Sequence, residues 1–161
     1  MIALKKITPV DLCAESINKL KDWRIKNRFA YKGTYKITQA SMRKWLREYV
    51  LDKEDRVLYW VYAEGTCMGH IGLTNIKKDD AEICDVSRGL VGFPGAMHTA
   101  LELLSAPYKR VHLRVLSSNT HAIEFYEKNG FTLIKTDKED YHHYERYQDG
   151  KYKSSYNVRT N

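Results

Sequence analysis

Short runs in which apolar and polar residues alternate are interspersed along this chain with stretches at helical spacing, and the two periods divide it into elements. Ile2 to Ile7 reads as a first strand. Thr8-Pro-Val-Asp11 has the form of a helix start, and Cys13, Ile17 and Leu20 continue at helical spacing. From Trp23 to Lys36 the period is lost among aromatic and basic residues, which predicts a loop or irregular helix. Thr38 is expected to cap a second helix with Met42, Trp45, Leu46 and Tyr49 on one face. Arg56 to Glu64 and Thr66 to Ile76 predict two strands joined at Glu64-Gly65, and Lys77 to Asp80 is a turn before a short strand, Ala81 to Val86.

Arg88 to Gly95 holds three glycines and a proline and is predicted to be a loop. Ala96 to Leu104 follows as a helix that ends before Pro107. Arg110 to Leu116 alternates like a strand, and Asn119 to Phe131 starts with a capping Asn and closes at Asn129-Gly130. Tyr141 to Tyr147 and Lys151 to Val158 flank Asp149-Gly150, a hairpin signal. The order β-α-α-β-β-β-α-β-α-β-β predicts an α+β fold in one domain, residues 1–161. It has a mixed central sheet, helices on both faces and a C-terminal β-hairpin.

Composition narrows the choices. At 161 residues the chain can bury about two-thirds of its unfolded surface. No apolar run approaches the roughly 20 residues of a membrane span, and the N-terminal segment lacks the apolar core of a signal peptide. The three cysteines, Cys13, Cys67 and Cys84, lack metal-ligand spacing, so reduced thiols in the core of a cytoplasmic protein are expected, with no metal. His142 and His143 point to opposite faces of a strand and do not make a metal pair. The 27 Lys and Arg against 20 Asp and Glu give a net charge of +7, which favours an anionic partner. No helix concentrates Lys and Arg and no RNA-binding aromatic motif appears, so a nucleic acid is not expected.

The most specific segment is Asn119-Thr-His-Ala-Ile-Glu-Phe-Tyr-Glu-Lys-Asn-Gly-Phe131 behind the strand Arg110 to Leu116. Ahead of it, Gly92-Phe-Pro-Gly-Ala-Met97 is a glycine loop opening a helix, where free backbone N–H groups and the helix dipole suit phosphate. Strand, Asn-capped helix with a Tyr, and Gly-Phe return resemble the second half of the GNAT superfamily, the acetyl-CoA-dependent N-acetyltransferases. The element order resembles it over nearly the whole chain. The resemblance implies that the coenzyme A pyrophosphate sits on this loop. Gly95 matches the fourth position of the family's Gln/Arg-x-x-Gly-x-Gly/Ala motif, whereas Gly92 stands where Gln or Arg is usual and Met97 where Gly or Ala is. The implied cofactor-binding set is Val86, Arg88, Gly92, Gly95, Ala96, Met97, Asn119 and Tyr126.

The resemblance also implies that Tyr126 is the general acid that protonates the leaving thiolate. Its plain structural alternative is a core aromatic, and that of Asn119 is a helix cap. For the base that deprotonates the acceptor amine, Glu82 resembles a glutamate used by some family members. His70 in Gly-His-Ile-Gly titrates in the right range, and Asp85 is a third candidate.

Trp23-Arg-Ile-Lys-Asn-Arg28 resembles the front of the ribosomal-protein N-terminal acetyltransferases and of the bacterial amino-sugar nucleotide acetyltransferases. It nominates Trp23 as a stacking face and Arg24, Asn27 and Arg28, with Tyr31 and Tyr35, as acceptor-binding residues. The expected reaction is direct acetyl transfer from acetyl-CoA to a primary amine in a ternary complex. The acceptor is expected to be a nucleotide-linked amino sugar, with a homodimer compatible with the sequence. The alternatives are protein N-terminal acetylation and a catalytically silent coenzyme A-binding or basic binding module.

Overall fold

The computed structural model describes residues 1–33 and 35–148. Seven strands form one sheet: β1 (Ile2–Lys6), β2 (Val57–Ala63), β3 (Thr66–Thr74), β4 (Asp80–Arg88), β5 (Arg110–Leu116), β6 (Thr132–Thr136) and β7 (Tyr141–Tyr147). Their order in space is β1-β2-β3-β4-β5-β7-β6, antiparallel everywhere except between β4 and β5. Four helices cover it: α1 (Ala14–Lys26), α2 (Gln39–Trp45), α3 (Ala96–Ser105) and α4 (Thr120–Lys128). Among the described residues no helix is long and apolar enough to cross a membrane.

The period-2 pattern of β2 divides two cores. Leu58 and Trp60 pack with Ile17, Leu20 and Trp23 of α1 and Met42 of α2 on one face. Val61 and Ala63 pack with Ala100, Leu101 and Leu104 of α3 and Tyr126 of α4 on the other. Each face therefore removes its apolar set from water against a different helix pair, which fixes the register of the strand. The turn at Glu64-Gly65 has φ of 47° and 78°, the left-handed pair that a two-residue hairpin requires.

Several elements depart from expectation. The helix start at Thr8 closes only a short 3-10 turn, Pro9–Asp11, and α1 begins afresh at Ala14. Helix α1 runs through Trp23 to Lys26 because Ile17, Leu20 and Trp23 make one continuous buried stripe. After α2 the chain widens into a π-helical turn, Leu46–Leu51, which shifts the helical phase: Leu46 and Val50 are buried and Tyr49 is exposed. Cys13 is an exposed residue at the start of α1 rather than a core thiol.

The C-terminal hairpin is real but sits one strand earlier than predicted. β7 pairs with β6 on one side and β5 on the other, so its partner precedes it in the chain. All five β6 residues are exposed, and Thr-Leu-Ile-Lys-Thr carries little alternation to announce a strand. The expected second arm, 151–158, lies outside the described residues.

Candidate active site

The site begins as a failure of the sheet to stay closed. β4 and β5 pair only at Asp80↔Arg110, Ala81↔Val111 and Glu82↔His112. Beyond Glu82 each strand stays with its outer neighbour, β4 with β3 and β5 with β7, and the inner edges part. A bulge drives the separation. Between His70↔Ser87 and Gly72↔Cys84, the two residues Asp85 and Val86 oppose the single residue Ile71. Asp85 takes φ of 51°, a left-handed conformation uncommon outside glycine. A cavity of about 600 Å³ fills the split, walled by β4 from Glu82 to Val86, β5 from Arg114 to Leu116, the start of α3, one face of α4 and the segment from Asn27 to Tyr31.

One end of the cavity is main chain. Gly95 precedes α3 with φ of 76°, and a Cβ there would meet no atom, so the residue is needed for its backbone angle rather than for room. The Thr99 N–H donates to the Gly95 carbonyl at 2.9 Å, and the Ala96 N–H donates to the Phe93 carbonyl at 3.2 Å. The Met97 and His98 amides belong to the first turn, where no intrahelical carbonyl can reach them, and both residues line the cavity. Arg88, His98, His121 and Lys128 surround this end with basic side chains. Gly92 also has a positive φ, 102°, but is not part of the cavity wall.

At the middle stands Tyr126, 7% exposed, packed edge-on against Phe125 and Phe131. Burial, and then the neighbouring Cys84 and Tyr31, push its phenol far above the usual tyrosine range. It therefore carries its proton at neutral pH and can donate but not abstract. Cys84 lines the same stretch, and burial followed by the Asp85 carboxylate pushes its thiol well above normal. It is a poor nucleophile as placed. Asn119 caps α4 by accepting from the Ala122 N–H at 3.3 Å, and it also lines the cavity.

The far end is side chain locked on side chain. Asp85 accepts from Arg56 Nη2 at 2.5 Å and has Arg24 Nη2 at 4.0 Å. The Arg24 guanidinium lies 4.2 Å from the Tyr31 ring centre and 4.8 Å from that of Trp45, and its Nη1 donates to the Tyr35 hydroxyl at 2.7 Å. Arg56 stacks over Trp45 as well, 5.7 Å from its ring. Burial raises the Tyr31 phenol to about 12 despite the opposing pull of Arg24.

The sequence-nominated residues thus separate. Val86, Arg88, Gly95, Ala96, Met97, Asn119, Tyr126, Glu82, Asp85, Asn27 and Tyr31 all line one cavity. Glu82 has both oxygens engaged, one accepting from Asn75 Nδ2 at 2.6 Å and the other 3.5 Å from Arg114 Nε. Asn27 donates to Ser87 Oγ at 3.0 Å and to the Trp23 carbonyl at 2.9 Å, which ties α1 to β4. Arg28 is exposed beside Phe29, itself 61% exposed at the mouth. Trp23 offers no free stacking face. It is 9% exposed, stacked on His70 and edge-on to Trp60, and a Cβ at Gly89 would fall 1.9 Å from its ring.

His70 is 4% exposed and outside the cavity wall. Phe125 and Lys128 line the cavity and Arg56 braces Asp85 from behind it, none of them singled out for the site from the sequence. Only the spacing of Phe125 beside Tyr126 carried a local signal. Among the described residues no group of three or more His, Cys, Asp or Glu is placed to hold a metal ion.

No protein-family model matches the sequence, and no curated protein matches it either. Solved structures do match. The N-acetyltransferase PseH of Campylobacter jejuni, in complex with acetyl coenzyme A, superposes with a TM-score of 0.68 at 20% identity, over 92% of this chain and 100% of that one. FdhC, described as a nucleotide-linked sugar GNAT, gives 0.71 at 14% identity over 91% and 86%. RimL, a ribosomal L7/L12 alpha-N-protein acetyltransferase in complex with coenzyme A, gives 0.68 at 15% over 92% and 95%. The fold of this chain is thus shared with these proteins and is that of the GNAT acetyltransferases.

Proposed function

We propose that this protein is an acetyl-CoA-dependent N-acetyltransferase whose acceptor is a nucleotide-linked amino sugar. The observation that carries the reading is the arrangement along one cavity. It has unpaired helix-start amides at one end, a proton-bearing phenol in the middle and a charged, aromatic-walled recess at the other. The α3 end suits a pyrophosphate: Met97 and His98 of the first helical turn line it, where the helix dipole favours an anion, and Arg88 and Lys128 supply positive charge nearby. PseH, of the same fold, was solved with acetyl coenzyme A.

Acetyl-CoA, as substrate, supplies the thioester carbonyl that an amine can attack. The chain's own groups do the rest. The bulged β4 backbone at Asp85 and Val86, released from its ladder, offers an amide to the carbonyl oxygen as negative charge develops. Tyr126 gives its proton to the departing sulfur, while the proton lost by the attacking amine passes to solvent water, from which the phenol is restored. The raised thiol of Cys84 speaks for direct attack over an acyl-enzyme. Asp85 and Glu82 both reach the cavity, but each is already paired with cations or amides, so neither is assigned here as a dedicated base.

The acceptor's diphosphate would lie at the mouth, where Arg28 is exposed and Phe29 presents an apolar face to a base or sugar. Arg24 is committed inside the recess and shapes it rather than gripping phosphate. FdhC supports the sugar reading, and RimL supports a second one, acetylation of a protein N-terminus. A thiol-release assay separates them. Acetyl-CoA with a nucleoside-diphosphate amino sugar is expected to release free thiol at least about tenfold faster than with N-terminal peptides. The reverse preference would favour the protein substrate, and release with no amine of either class would leave a binding module.

A further inference from the structure

The Gly-His-Ile-Gly segment of β3 has an explanation in the bulge opposite it. Where Asp85 and Val86 bulge from β4, the Asp85 carbonyl leaves the regular ladder inside the protein, and a buried carbonyl needs a donor. His70 Nδ1 lies 2.6 Å from that oxygen. A carbonyl can only accept, so the ring nitrogen facing it carries hydrogen. The imidazole is held in place between two indoles, stacked on Trp23 at 6.2 Å and edge-on to Trp60 at 6.3 Å. The preceding glycine brings β3 close enough to β4 for the reach: a Cβ at Gly69 would fall 2.4 Å from the Ser87 carbonyl. Burial lowers the imidazole to about 4, so it stays neutral, with one donor, over the range in which proteins work.

We infer that His70 is a positioning residue: its Nδ1–H anchors the Asp85 carbonyl, and so holds the Asp85–Val86 peptide turned toward the thioester end of the cavity. It touches neither substrate. Asp85 pays for its left-handed φ with two tethers, His70 on its carbonyl and Arg56 on its carboxylate. Without the first, the segment is free to relax toward the extended ladder, which withdraws the amide from the cavity. This inference rests on the acetyltransferase reading above, since it gives the held peptide its task.

The test compares three variants by calorimetry with acetyl-CoA and with CoA as probes. His70→Asn keeps a donor near the Nδ1 position, His70→Gln moves it outward by about one bond, and His70→Leu removes it. Loss of one hydrogen bond to the acetyl carbonyl corresponds to about tenfold in affinity. Acetyl-CoA affinity is therefore expected to fall about tenfold in the Gln and Leu variants and to stay within about threefold of wild type in Asn. CoA affinity should hold within about twofold in all three. A purely packing role would move both ligands together. Equal losses in Asn and Gln, or unchanged acetyl-CoA affinity in Gln, would overturn the assignment; should the Leu variant not fold, the Asn and Gln pair decides. Failure of the wild-type protein to bind either probe would instead overturn the acetyltransferase reading, and this inference with it.

Discussion

At the α3 end the cavity is walled by backbone that presents its own amides, whereas at the other end its wall residues Tyr31 and Asp85 are fastened from behind by Arg24, Trp45 and Arg56. The α3 end depends on one local property, the left-handed turn at Gly95 that starts the helix. The Asp85 end depends on α1, the segment after it, α2, the residue ahead of β2 and β4 arriving together: Arg24, Tyr31, Trp45, Arg56 and Asp85. On the proposed function the first arrangement takes the phosphates of acetyl-CoA, and it would leave the fold almost indifferent to its loss. On the same proposal the second would couple recognition of the acceptor to stability, because each charge there is held by its neighbours in a partly dry recess.

Substitutions at the two ends should therefore fail differently. The largest effect is expected between them. Tyr126→Phe should lower acetyl transfer about 10³-fold while CoA affinity, measured by calorimetry, stays near wild type. An unaltered rate would remove the phenol from the acid role. Next, Asp85→Asn should strip the counter-charge from Arg56 and Arg24 and cost about 2 kcal/mol of unfolding free energy in a urea titration, discounted because Arg56 retains some solvent. Full stability in that variant would mean the recess is not locked as described. The smallest effect is expected for Tyr35→Phe, which deletes a hydrogen bond from Arg24 to a half-exposed hydroxyl and should cost about 0.5 kcal/mol.

The same contrast explains what could be read from sequence. The helix cap at Asn119, the phenol at 126 and the glycine turn at 95 are local patterns, spaced within one or two elements, and all of them line the cavity. The far end was only half legible. Arg24 and Tyr31 stood out by type, but nothing along the chain says that Arg56, on the far side of two helices, closes the pair with Asp85. Trp23 was misread for the opposite reason: an indole among basic residues looks like a stacking platform until α1 is seen to carry it inward beside Leu20. β6 escaped because a strand exposed on all five residues has no alternation to show. His70 was nominated for its ordinary titration range, which burial between two tryptophans abolishes.

The central claim is that the start of α3 holds a pyrophosphate. It is tested most directly by titrating CoA into the wild-type protein and into Gly95→Asp. Asp tolerates a left-handed φ and its Cβ would meet no atom, so the variant should fold. The prediction is one molar equivalent of CoA bound by the wild type and about 100-fold weaker binding by the variant, through repulsion of the phosphates by the new carboxylate. Equal affinity in the two proteins, or no uptake by the wild type at millimolar CoA and low salt, would contradict it.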